Sequence, residues 1–233
     1  MVVDRPLSTN RGSANSEYLV AKLPNPPPVA QLRRIPAKWK VLPAGTELSR
    51  IYFANSEHPT IWNGFRYFGP TKSRFDHHLL DTHGQPHTQT RGIMYLATGS
   101  QAAYTCLAEV FQDKRTIDRN AGLPTYAGFL LEKEIHLLDL TAHFATQIGA
   151  STAIHSGPRP SARRWAQALY EAYLTCDGIL YCSSMFGNEP AIALFERAQS
   201  ALPSRPLFHR ELRDSAMTAV VMAAAAAINY AVA

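Results

Sequence analysis

Apolar positions along the chain fall into short runs with two different periods. ELSRIYFA (47–54), GIMYLA (92–97) and DGILYCSS (177–184) are dense in Ile, Leu, Tyr and Phe and bounded by turn residues, the pattern of short strands. YAGFLLEKEIHLLDL (126–140) reads as strand-rich, closed by Leu137, Leu138 and Leu140. PLFHREL (206–212) reads as a further short or edge strand, and EPAIALFERAQSAL (189–202) fits either period. Helical spacing is clearest in SARRWAQALYEAYLT (161–175), where Trp165, Leu169 and Tyr173 recur on one face. A second helix is expected over roughly 100–113 with Ser100 as N-cap. The Ala-rich tail AMTAVVMAAAAAINYAVA is interrupted by Asn229 and falls short of the roughly 20 strongly apolar residues that span a bilayer. It predicts a helix docked on the core. FRYFGPTKSRFDHH (65–78) is broken by Gly69-Pro70 and reads as irregular to extended, and 79–91 as a surface loop.

These elements predict an α+β fold, a single domain of short strands and helices beginning near Thr46. Residues 1–45 are expected to form a Pro-rich extension. Prolines at 26, 27, 28, 36 and 43 each remove an amide donor, and residues 1–17 have little to bury and are expected to be mobile.

Composition narrows the class only a little. With 46% hydrophobic residues in 233, the chain can bury one sizeable core. The net charge of +5 fits a phosphate-bearing ligand, an acidic partner or nucleic acid. The basic residues form no run, so direct nucleic-acid binding is not expected. Three cysteines, Cys106, Cys176 and Cys182, with no C-x-x-C make a disulfide scaffold improbable and a reducing cytoplasm the expected setting. The N-terminus carries no apolar segment of the secretory kind.

Four places invite chemistry. In RGIMYLATGSQAAYTCLAEVF (91–111), Tyr95 ends a strand and Glu109 sits within the following helix. On a helical wheel Glu109 points away from Leu107, towards Thr105 and Ala102. That suits a solvated carboxylate, yet its neighbours are small where a solvated face would carry long polar side chains. Arg50 is embedded in an apolar strand. It either points outward from the pleat or recognises an anion, since guanidinium forks match phosphate oxygens. Arg74 precedes Phe75 and Asp76, and a local Arg74–Asp76 pair is the ordinary alternative. Ser183 follows a strand with no G-x-S-x-G elbow, so it is not expected to be a hydrolase nucleophile. DHHLLDTHGQPH gathers His77, His78, His83 and His87, but Gly84 and Pro86 prevent His83 and His87 from sharing a helix face. A polar surface loop is expected there, and no metal. No Walker A or G-x-G-x-x-G motif occurs.

The Arg-bearing first strand, G-x-x-x-S-R-F-D, G-I-M-Y-L-A, a helix with A-E-V-F, and D-G-I-L-Y-x-S occur in one order. Together they resemble the RES-domain family, the toxins of RES–Xre toxin–antitoxin pairs, over roughly residues 46–233. The resemblance implies a fold similar to ADP-ribosyltransferases and NAD⁺ as substrate, cleaved at the nicotinamide–ribose bond. ADP-ribose would pass to water, phosphate or a target protein. By motif, it implies Arg74, Tyr95 and Glu109 as catalytic residues and Arg50, Tyr52 and Ser183 as substrate-binding ones. It also implies a cognate Xre-type antitoxin as partner. Two rivals from other classes are a non-catalytic nucleic-acid- or protein-binding module and a metal-dependent hydrolase built on the four histidines.

Overall fold

The computed structural model describes residues 22–233, so the expectation for residues 1–17 lies outside the described residues. In chain order the elements are α1 (Val29–Leu32), β1 (Trp39–Leu42), β2 (Glu47–Phe53), β3 (Arg66–Gly69), β4 (His87–Thr98), α2 (Ala102–Val110), β5 (Thr116–Ile117), β6 (Pro124–Leu130) and β7 (Ile135–Asp139). They continue as α3 (Phe144–Gln147), α4 (Ala153–Ser156), α5 (Arg159–Ala172), β8 (Gly178–Cys182), β9 (Pro190–Phe195), β10 (Phe208–Glu211), α6 (Thr218–Ile228) and β11 (Ala231–Val232). The expected α+β mixture is present. A nine-stranded sheet runs β1-β7-β8-β9-β4-β2-β6-β10, with β3 paired to β4 off this path. Every pairing in it is antiparallel except β7 with β8.

Alternation along the central strands decides which face each layer covers. Ile179 and Tyr181 of β8, Phe195 of β9 and Ile93 of β4 meet Trp165 and Leu169 of α5 in one core. Leu180, Ile192, Leu194, Met94 and Leu96 point the other way, into a second core with Leu48 and Phe129. A third cluster joins Leu107 and Phe111 to Ile51 and to Val221, Ala224 and Ala225 of α6. The Ala-rich tail is therefore a docked helix, ended by Asn229 in the left-handed conformation (φ 53°).

Several expectations change. Residues 22–45 do not stand apart. β1 pairs with β7 at a sheet edge, Trp165 Nε1 donates to the Pro24 carbonyl at 2.8 Å, and Tyr173 donates to Leu32 and Ile35 carbonyls. Residues 87–91, expected as loop, form the first part of β4 against β3. The helix expected from 100 begins at 102, and no side chain caps it; Ser100 lies in the preceding turn. The ambiguous 189–202 is both a strand and a helix, β9 followed by a 3₁₀ turn at Glu196–Ala201.

Candidate active site

The strands β2 and β4 pair only through Leu48↔Thr98 and Ser49↔Ala97. Beyond that point β2 continues along β6 and β4 along β9. Residues of both strands past the split line a cavity of about 600 Å³, a size typical of sites for organic ligands. Arg50, Tyr52, Arg74, Tyr95 and Glu109 all line it. Five of the six residues singled out in the sequence thus meet at one place, although they come from β2, the 71–76 segment, β4 and α2.

Ser183 is not in the wall but behind it. Its Oγ donates to Glu109 Oε1 at 2.6 Å and accepts from the amides of Met185 (3.2 Å) and Phe186 (3.1 Å). A hydroxyl has one proton, and both amides are donors, so that proton is committed to the carboxylate. The last residues of β8 and the turn that follows therefore hold Glu109 in one orientation. On the face of α2 that Glu109 shares with them, Thr105 and Ala102 are buried and Glu109 is half-buried, contrary to the solvated reading.

The cavity is electropositive. Five cationic side chains (Arg50, Arg66, Lys72, Arg74, Arg159) line it against three carboxylates (Glu57, Glu109, Asp113). Arg66 is paired with Asp76 at 2.8 Å and Arg159 with Asp113 at 3.1 Å. Arg50 and Arg74 have no carboxylate within ion-pair distance among the described residues. Arg50 is buried. Its Nη1 donates to the Gly64 and Trp62 carbonyls (2.9 and 3.3 Å), while its Nε has no partner. Burial lowers its pKa to about 10, which leaves it charged at neutral pH. Arg74 Nη1 donates to the Gly157 carbonyl at 2.6 Å. Burial lowers its pKa, and the nearby Glu109 carboxylate opposes that shift. Two guanidiniums without counter-ions, one buried (Arg50) and one half-buried (Arg74), are suited to a polyanionic ligand.

Three tyrosines complete the wall. The Tyr95 hydroxyl is buried without a hydrogen-bond partner among the described residues; Ser73 is near enough to bias its titration. Burial raises its pKa, so the phenol stays protonated and able to donate. The Tyr52 hydroxyl lies 2.6 Å from His209 Nε2, with the two rings stacked. Tyr181 packs on Phe75 at 4.6 Å, and burial followed by Glu109 pushes its phenol well upward.

The Arg74–Asp76 pair does not form. Asp76 is fully buried and binds Arg66, His78 and Thr71, which turns Arg74 towards the cavity. The histidine-rich segment is not wholly a surface loop either. His77 and His78 are buried, His83 is exposed, and no group of three or more metal-ligating side chains occurs among the described residues. Sequence reasoning missed Gln112, Arg159 and Tyr181. Tyr181 lay within the D-G-I-L-Y-x-S motif without a role, while nothing local marks Arg159, which reaches the site from 47 positions beyond Gln112.

No protein-family model and no curated protein matches the sequence. Among solved structures, a chain of the crystal structure of the M. tuberculosis MbcT-MbcA toxin-antitoxin complex is similar at 14% identity, covering 79% of this chain and 91% of that chain, with a TM-score of 0.48. At that level the likeness is one of general architecture and says nothing of activity.

Proposed function

We propose that the cavity takes NAD⁺ and cleaves its nicotinamide–ribose bond. The observation that carries the reading is the Ser183–Glu109 contact of 2.6 Å. It fixes a carboxylate in the wall of a cavity that also holds unpaired Arg50 and Arg74. Arg50 and Arg74 would hold the doubly charged pyrophosphate. Tyr95 would stack on or donate to nicotinamide with its free hydroxyl, and Tyr52 would border the same pocket. When the C1′–N1 bond breaks, its electron pair leaves with nicotinamide, which becomes neutral. The ribose is left with oxocarbenium character, as in glycoside cleavage. Glu109 faces that charge as it develops and stabilises the transition state more than the ground state. The acceptor, whether water, phosphate or a protein side chain, then bonds C1′ and gives up its proton.

The setting we propose, from the sequence resemblance, is the toxin half of a toxin–antitoxin pair, with an Xre-type antitoxin as partner. No helix among the described residues is long and apolar enough to cross a membrane.

The test is incubation of the purified protein, freed of any partner, with NAD⁺. Nicotinamide release is expected. Glu109→Gln, which can still accept the Ser183 bond, should lower the rate by about 10²–10³-fold while leaving the melting temperature nearly unchanged. Mass spectrometry identifies the acceptor: free ADP-ribose for water, ADP-ribose 1″-phosphate for phosphate, a labelled polypeptide for a protein. Folded protein that releases no nicotinamide with buffer, phosphate or cell lysate overturns the proposal.

A further inference from the structure

We infer that Gln112 and Arg159 are a positioning pair for Glu109, set in place by the α4–α5 junction, residues 155–159. The inference rests on the reading of Glu109 given above but uses residues that no motif marks. Glu109 is contacted at both carboxylate oxygens, closely at Oε1 and at longer range at Oε2. Ser183 bonds Oε1, and Gln112 Nε2 lies 3.4 Å from Oε2 and 2.5 Å from the Glu109 carbonyl. The direction of the Gln112 amide is not free. Its Oε1 accepts from Arg159 Nη2 at 2.6 Å, and a guanidinium can only donate. The amide NH₂ must therefore face Glu109. Arg159 in turn is held by Asp113 Oδ1 at 3.1 Å, next to Gln112 in the chain.

Arg159 opens α5, and the residues just before it touch the other parts of the site. The Gly157 carbonyl receives Arg74 Nη1. His155 Nδ1 faces the amide of Cys182 at 3.4 Å, immediately before Ser183, and its Nε2 bonds the Leu140 carbonyl at 3.0 Å. Position 157 admits only glycine without movement, because a Cβ there would meet the Ala153 carbonyl oxygen at 2.6 Å. One short junction thus sets the orientation of Arg74, of the strand end bearing Ser183, and of the Gln112 amide on Glu109. Gln112 and Arg159 act through Glu109; neither is required to touch the reacting carbon.

The experiment compares Gln112→Leu, Gln112→Glu, Arg159→Ala and Arg159→Lys with the wild-type full chain in NAD⁺ turnover. Gln112→Leu should lower kcat about tenfold with KM changed less than about twofold, the signature of a lost transition-state interaction. Gln112→Glu keeps the shape and the Arg159 bond but replaces the donor with a like charge. It should lower kcat further and move the acid limb of the pH–rate profile to higher pH. Arg159→Lys should recover most of what Arg159→Ala loses. A wild-type kcat in both Gln112 variants, or a rise in KM alone, overturns the inference. A second readout does not depend on turnover. The Gln112 side-chain amide resonance, identified by its loss in Gln112→Leu, should shift in both Glu109→Ala and Arg159→Ala. If it shifts while wild-type protein leaves NAD⁺ intact, the pairing stands and the proposed reaction falls. If it stays fixed in both variants, the pairing is wrong whatever happens to NAD⁺.

Discussion

Tyr95 carries a cost that the folded protein does not recover by itself. Its hydroxyl is buried with no partner among the described residues, and an unsatisfied buried hydroxyl costs about 1–3 kcal/mol. The ring already lies against the core under α5. Such a group makes sense where a ligand completes its hydrogen bond. Tyr95→Phe should therefore raise the unfolding free energy of the free protein by about 1 kcal/mol, measured by denaturant melts, and, if NAD⁺ is the ligand as proposed, weaken its binding by about 5–10-fold in calorimetry. A variant that loses stability would mean that the hydroxyl is satisfied within the protein and has no claim on a ligand. Arg50 Nε shows the same pattern in the same cavity, which makes a chance packing defect at Tyr95 the weaker account.

Among the elements, β8 shows how backbone contact can dictate a residue that looks like a strand breaker. Gly178 opens this strand between β7 and β9, and a Cβ there would lie 2.6 Å from the Ala193 carbonyl oxygen and 2.9 Å from the Leu194 Cα. Backbone on the neighbouring strand cannot step aside as a side-chain end can. Gly178→Ala should thus destabilise the fold by about 2–4 kcal/mol in chemical denaturation, and misplace Ser183 at the far end of the strand. The strand itself was legible, because Ile179, Leu180 and Tyr181 form a run dense enough to exclude a loop. The first part of β4 was not legible. His87, Thr88, Gln89, Thr90 and Arg91 offer no apolar alternation, and only pairing with β3 makes them a strand. β1 was hidden for a related reason. It is a sheet edge in a Pro-rich segment, and its pairing with β7 is a tertiary fact. At the site, the motif residues Arg74, Tyr95 and Glu109 lie together on the cavity, whereas Tyr181 stood inside a motif without a role. Arg159 and Gln112 were missed because their role exists only once α2 and α5 are brought together.

At the scale of the whole molecule, the polar groups buried behind the cavity should make the fold acid-labile. Burial alone would raise the pKa of Asp76, but bonds from His78 and Thr71 and the charge of Arg66 outweigh it and hold the carboxyl well below its usual range. Glu196 is likewise brought to about 2 against its burial, by His77, Tyr170 and the Gly92 amide. His77, between Tyr170 and Phe195, is brought down to about 4 by burial, against the pull of Glu196. All three groups bind fewer protons in the folded chain than in the unfolded one over part of the acid range. Stability then rises with pH there, by about 1.4 kcal/mol per pH unit for each such proton. For His77 the contribution is complete above its ordinary value of 6.5 and is lost as pH falls from there to about 4. For the two carboxylates it is complete above their ordinary values and is lost as pH falls below them. Melting temperature should therefore be level between about pH 7 and 8, decline below about 6.5, and decline more steeply below about 4, while the buried thiols Cys106 and Cys176, pushed up to about 12, make it fall again in alkali. His77→Phe keeps the aromatic contacts and removes the titrating ring, so it should reduce the slope between about pH 4 and 6.5, leaving the share of His155, also lowered by burial, and the steeper part. Arg66 and Thr71 both bind Asp76 and both line the cavity, so the steep part should take activity with it. A wild-type melting temperature that stays level down to pH 5 would mean that His77 and Glu196 share a proton in the folded chain. The histidine would then be an ion-pair partner rather than a buried neutral ring.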